Sequence, residues 1–248
     1  MSKSILGVKI DDVNMEEAVN IVERWLLGSD HHFIVTPNPE FLISAQKDPE
    51  FKKILNDADL SIPDGVGLKL GGVKNTVAGT DLMEKLVELA AKKGYKVGLL
   101  GGRDGVAKLC AERLSRKYPN LKISFAETGP VIARSEATKQ SNSLKRLPRS
   151  PASPDSLAMT NGCDILFVAF GPPKQEKWIA KNLPILSVKV AMGVGGAFDF
   201  LSGKIPRAPN WMRILGLEWL FRLIVQPWRI KRQLRLVKFL FAMLTRSV

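Results

Sequence analysis

Cysteine, histidine and tyrosine are scarce, with two of each in 248 residues. Two cysteines, Cys110 and Cys163, cannot build a disulfide framework. They suit a reducing compartment, where they serve as small core residues. His31 and His32 are adjacent, so along a strand they face opposite ways. With no Cys or acid at ligand spacing, the sequence offers no metal site. There is no Walker loop and no Gly-x-Ser-x-Gly, which removes the signatures of P-loop nucleotide hydrolases and of nucleophile-elbow hydrolases. No apolar run approaches the roughly 18 residues that a membrane-spanning helix needs. The opening MSKSILGVKIDD lacks the apolar stretch of a signal peptide. These absences predict a cytoplasmic protein.

Apolar residues make up 45% of the chain and charged residues 25%, with mean hydropathy at zero. Disordered, collagen-like and coiled-coil chains are thereby excluded. The length suits one α/β domain with a full core, or such a domain plus an appendage. The net charge of +13 is unevenly placed. Leu201 to Val248 holds ten Lys/Arg against one acid, Glu218, and Val131 to Pro154 holds five against one, Glu136. These two segments account for all of the excess, so the body is neutral.

The body alternates strand-like runs with helical patterns. Strands are expected at Ile5–Ile10, His32–Thr36, Leu60–Ile62, Lys96–Leu100, Leu121–Ala126, Ile165–Ala169 and Val188–Met192. Helices are expected after Asn14, after Asn38-Pro39, over Thr80–Lys93, over Asp104–Lys117 and over Pro173–Asn182. Strands separated by helices of this length predict a parallel sheet, with ligands beyond the carboxyl ends of its strands. Val131–Pro154 is rich in Ser, Arg, Lys and Pro and reads as an inserted loop, boundaries 131–154. In the tail, Ile230, Leu234, Val237, Phe241 and Leu244 recur at helical spacing beside Lys231, Arg235 and Lys238. A basic amphipathic helix with nearby tryptophans suits a membrane interface; packing of that stripe on the body is the other reading.

Several turns at the carboxyl edge carry chemistry. Asp64 in SIPDGVG follows a short strand and could act as a general base, or be a turn Asp before Gly. Thr36 and Asn38 in TPNPE end the neighbouring strand, with Asn38 also placed to cap a helix. Gly101-Gly102 and Gly193–Gly196 join strands to helices and let backbone approach a phosphate. Gly171 in GPPKQE opens another such turn, where Gln175 could hydrogen-bond a sugar or base. Arg207, Arg213, Arg222 and Arg229 could neutralise a diphosphate. Asp57-Ala58-Asp59 has the form of a metal-binding DxD, but it precedes a strand and so belongs to the wrong edge.

In order along the chain stand LGVKIDDV, TPNPEF, IPDGVG, VAGTDLM, LLGG, ILFVAFGPPKQEKWI, AMGVGGAFDFLSGKIPRAP and GLEWLFRLIVQPWRIKR. Together they resemble the WecG/TagA/CpsF family of bacterial glycosyltransferases. The resemblance implies a Rossmann-like α/β core over residues 1–200 and a basic helical appendage over 201–248. It implies inverting transfer of N-acetylmannosamine, or its uronic acid, from a UDP-sugar. The acceptor would be N-acetylglucosamine on a polyprenyl diphosphate, in teichoic acid or other surface-polysaccharide synthesis. It also implies no metal or other cofactor, self-association, and an appendage that meets the anionic inner face of the plasma membrane.

Carried over position by position, Asp64 is the catalytic base, with Thr36 and Asn38 near the reacting sugars. Gly101, Gly102, Gly171, Gln175, Gly195 and Gly196 hold the donor, and Arg207, Arg213, Arg222 and Arg229 meet diphosphate or lipid. Two departures stand out: Thr76 occupies a position where many members carry Arg, and Val131–Pro154 replaces much of a family helix. A nicotinamide-dependent oxidoreductase on the same sheet and a basic nucleic-acid binder are the alternatives. The incomplete glycine fingerprint argues against the first, and clustered tryptophans favour lipid over nucleic acid.

Overall fold

The computed structural model describes residues 1–129, 162–227 and 230–245. The 131–154 insertion and Arg229 lie outside the described residues. The chain begins with a hairpin, β1 (Ser2–Ile5) antiparallel to β2 (Val8–Asp11). Where one strand was expected over Ile5–Ile10, a two-residue turn intervenes at Leu6 and Gly7, with φ of 51° and 74°. Positive φ at both positions gives the twist that a tight hairpin needs. Leu6 tolerates it while burying its side chain.

The main sheet has six parallel strands: β3 (His32–Val35), β4 (Leu60–Ser61), β5 (Lys96–Gly101), β6 (Lys122–Glu127), β7 (Ile165–Ala169) and β8 (Val190–Gly193). Their spatial order is β4-β3-β8-β7-β5-β6. This is the α/β architecture that the alternation of patterns predicts.

Helices cover both faces, which is why β5, β7 and β8 read as nearly continuous apolar runs. On one face, α1 (Met15–Leu27), α4 (Gly79–Lys93) and α5 (Val106–Lys117) pack Val22, Leu86 and Cys110 onto Ile34, Leu99 and Phe167. On the other, α2 (Pro39–Ala45), α3 (Pro49–Asp57) and α6 (Lys174–Asn182) pack Leu42, Phe51 and Ile179 onto Val35, Leu166 and Val168. The caps are those the sequence suggests: Asn14 and Glu17 form a capping box, and Asn38 accepts the Phe41 N–H at 3.1 Å.

After β8 come α7 (Ala197–Leu201), α8 (Asn210–Ile214), α9 (Glu218–Val225) and α10 (Ile230–Thr245). α10 lies along α2: Phe239 is fully buried with Phe41, Leu42 and Leu68, and Arg235 donates to Ser44 Oγ at 3.2 Å. The stripe Ile230, Leu234, Val237, Phe241 and Leu244 faces away from the body, exposed by 53–73%. The helix therefore has two apolar faces, and the periodic stripe is not the packed one. Among the described residues no helix is long and apolar enough to cross a membrane.

Candidate active site

The carboxyl ends of β3, β4, β5, β7 and β8 open into one cleft of about 550 Å³. Thr36, Asn38, Asp64, Gly102, Gly171, Gln175, Gly195, Gly196 and Arg222 all line it. Chain topology brings all but Arg222 together from the ends of five separate strands, as expected of a parallel sheet, and Arg222 comes from α9.

Asp64 is held by both of its flanks. Its own N–H donates to the Pro37 carbonyl at 3.1 Å, and Val77 N–H donates to the Pro63 carbonyl at 2.8 Å. Gly65, at φ 98°, then turns the chain into a 3₁₀ segment over Val66–Gly71. The Asp64 carboxylate accepts the backbone N–H of Gly79 at the start of α4. Burial raises its pKa to about 7, helped by the negative charges of Glu218 and Asp81 and opposed by the Gly79 N–H and Arg222. Gly79 packs closely on Thr36: a Cβ there would stand 3.2 Å from the Thr36 methyl, a tight contact. Thr36, Asp64 and the start of α4 thus form one packed unit. Asn38 gives its side-chain oxygen to the cap of α2, so helix capping and a place in the cleft coincide.

The opposite wall is made of glycine turns. Gly102, φ 77°, donates to the Ala169 carbonyl at 3.0 Å. Gly101 does not line the cleft; a Cβ there would meet the Ala169 backbone at 2.8 Å, so its lack of a side chain serves β5–β7 contact. Gln175 is buried, and its Oε1 accepts the N–H of Gly171 at 3.0 Å and of Gly195 at 2.9 Å.

The segment after Leu201 closes the cleft. Arg222, on α9, lies over the Phe200 ring at 4.7 Å, and a side chain at Gly196 would collide with its guanidinium. Arg207 and Arg213 sit elsewhere. Arg213 Nη2 bonds both oxygens of Asp81 at 2.9 and 2.8 Å. Arg207 bonds Asp81 and, through Nε, Glu218 at 3.3 Å. Burial opposes the Asp81 charge, but the two guanidinium groups overcome it and hold its carboxyl below the usual range. Neither of these arginines lines the cleft. Sequence reasoning assigned no role to the cleft residues Arg103 and Lys204, although Arg103 directly follows the Gly101-Gly102 turn and Lys204 stands in the motif AMGVGGAFDFLSGKIPRAP. It also missed Asp81 and Glu218, the acids that organise the arginines. Thr76 is exposed just ahead of α4. Asp59 accepts the Phe33 N–H at 2.7 Å at the amino end of β3, so the Asp57/Asp59 pair lies at the far edge from the cleft.

Comparison with known proteins decides the family. The model of the glycosyl transferase WecG/TagA/CpsF family matches residues 3–248. The chain belongs to that family. Its relatives include an N-acetylglucosaminyldiphosphoundecaprenol N-acetyl-beta-D-mannosaminyltransferase of Bacillus subtilis (strain 168), 35% identical over 98% of this chain and 91% of the relative. Proteins of the same name from Bacillus spizizenii (strain ATCC 23059 / NRRL B-14472 / W23) and Staphylococcus aureus (strain MRSA252) are 34% and 30% identical. They cover 86% and 92% of this chain, and 78% and 86% of their own lengths. As a WecG/TagA/CpsF glycosyltransferase, the chain carries its cleft where this sheet topology places ligands.

Proposed function

We propose that this enzyme moves N-acetylmannosamine from a UDP donor to N-acetylglucosamine carried on a polyprenyl diphosphate, in the assembly of a cell-surface polymer. The carrying observation is Asp64, a carboxylate at the cleft floor with a pKa raised to about 7. A base is most effective when its pKa lies near the working pH. In this reading Asp64 takes the proton of the acceptor hydroxyl. The freed oxygen attacks the anomeric carbon, whose bond to the diphosphate breaks, and UDP departs with the bonding electrons. Configuration at that carbon inverts.

The donor lies against the turns at Gly102, Gly171, Gly195 and Gly196. Thr36 and Asn38 face the reacting sugars, and Arg222 meets the developing diphosphate charge. Arg103 and Lys204 line the same cleft and add positive potential. In this account cations of the protein, rather than a divalent metal, neutralise the leaving group. Arg207 and Arg213 act one step back, holding α8 and α9 to α4 through Asp81.

The acceptor's lipid calls for a bilayer nearby. Trp211, Leu215, Trp219 and Ile224 are exposed, as is the outward stripe of α10. Together with the exposed Arg235 and Lys238 of the same helix, they supply an amphipathic surface for an anionic membrane. Residues 201–248 then serve as an appendage that completes the cleft and rests on the inner leaflet. The test is UDP release from UDP-N-acetylmannosamine with lipid-linked N-acetylglucosamine, in EDTA. Acceptor-dependent release supports the reading; donor binding without release in the presence of that acceptor overturns it.

A further inference from the structure

Gln175 and Glu176 open α6 and are each 1% exposed. The carbonyl oxygen of Gln175 binds two backbone N–H groups, one at the end of β7 (Gly171) and one at the end of β8 (Gly195). An amide oriented that way must direct its NH2 to the other side. There Glu176 Oε1 accepts from Nε2 at 2.7 Å. Gly193 walls in the arrangement: a Cβ at that position would stand 2.8 Å from Gln175 Nε2 and 3.1 Å from Glu176 Oε1. Glu176 does not line the cleft, and among the described residues its second oxygen, Oε2, is buried without a hydrogen-bond partner. A buried carboxyl with an unmatched oxygen is costly to keep, whereas an apolar side chain would fill the space without that cost. What Glu176 supplies that an apolar residue cannot is the acceptor that fixes the Gln175 amide.

We propose that Glu176 is a positioning residue for donor binding. By locking the Gln175 amide, it holds the Gly171 and Gly195 turns at a set separation, and so sets the shape of the wall that receives the nucleoside diphosphate. Glu176 touches no substrate and acts only through Gln175. This inference rests on reading the cleft as the donor site.

The test compares Glu176→Met, which keeps the length and removes the acceptor, with Glu176→Gln, which keeps an acceptor oxygen. Loss of one buried hydrogen bond should weaken UDP binding and raise the KM for UDP-N-acetylmannosamine by about tenfold in Glu176→Met, with kcat within about threefold. Glu176→Gln should restore both. Amide hydrogen exchange should quicken at Gly171 and Gly195 in Glu176→Met and stay slow in Glu176→Gln. Gly193→Ala, which pushes a methyl against both side chains, should reproduce the Glu176→Met pattern and serves if that variant does not fold. Unchanged UDP affinity and unchanged exchange at the two glycines would overturn the proposal. So would faster exchange spread evenly over α6, the mark of a merely structural role. Wild-type protein that binds no UDP would instead remove the donor-site reading, and the exchange at Gly171 and Gly195 would still decide whether Glu176 holds the turns.

Discussion

Arg213 Nη2 stands 2.9 and 2.8 Å from the two carboxylate oxygens of Asp81, tying α8 to the first turn of α4, the helix whose leading N–H reaches Asp64. The contact is partly buried, so it is worth more than a surface pair. Arg213→Ala should cost about 1–2 kcal/mol. That lowers Tm by about 3–6 °C in a chain of this size. UDP affinity should stay within about threefold, because Arg213 does not line the cleft. Calorimetry and UDP titration on one preparation check both. A normal Tm with strongly weakened UDP binding would make Arg213 a diphosphate ligand instead.

Activity should follow the ionisation of Asp64. Its pKa is raised to about 7, first by burial and then by Glu218. kcat/KM should therefore rise with pH and level off above about 7. Glu218→Gln removes a neighbouring negative charge, so the profile should move toward lower pH. A profile flat from pH 5 to 8, an interval of roughly three decades in proton concentration, would mean that no such base limits the reaction.

The same carboxyl affects stability in a definite direction. Folded, Asp64 holds its proton up to about pH 7, whereas its ordinary value is 3.8. The stabilisation from that bound proton is complete below the unfolded value and is lost as pH rises to about 7. Asp64→Asn should therefore melt a few degrees above wild type at pH 8 and about level with it near pH 4. Thermal melts at the two pH values check the sign.

The two faces of α10 should separate by mutation. Phe239 is fully buried against α2, and Phe239→Ala should cost about 3–5 kcal/mol. Phe241 is 68% exposed on the outward stripe. Leu234→Ser with Phe241→Ser should leave Tm nearly unchanged and reduce binding to phosphatidylglycerol vesicles, which added salt should also weaken. Equal vesicle binding by this double variant would argue against the outward stripe as the membrane surface.

Much of this architecture is legible in the sequence because each cue is local. Asn14 with Glu17, Asn38 before Pro39 and the run Ile165–Ala169 mark elements that the fold contains. The parallel order of strand and helix then brings Thr36, Asp64, Gln175 and Gly195 to one edge. The hairpin at Leu6-Gly7 was hidden because Leu gives no turn signal. The α10 stripe has the period that the sequence shows, and it faces away from the body rather than packing on it. Periodicity identifies an apolar face, not what covers it, and Phe239 on the other face is the residue that packs. The arginines illustrate the same limit. Charge and spacing place Arg207, Arg213 and Arg222 in one class, yet only the fold reveals that Asp81 and Glu218 occupy the first two while Arg222 reaches the cleft.

The central claim is that Asp64 removes the acceptor proton in this cleft. The most direct measurement is single-turnover sugar transfer by wild type and Asp64→Asn, in EDTA, alongside UDP titration of both. The account predicts that UDP affinity stays within about threefold while the rate of transfer falls by about 10²–10⁴. Transfer by Asp64→Asn at a rate near that of wild type would contradict it.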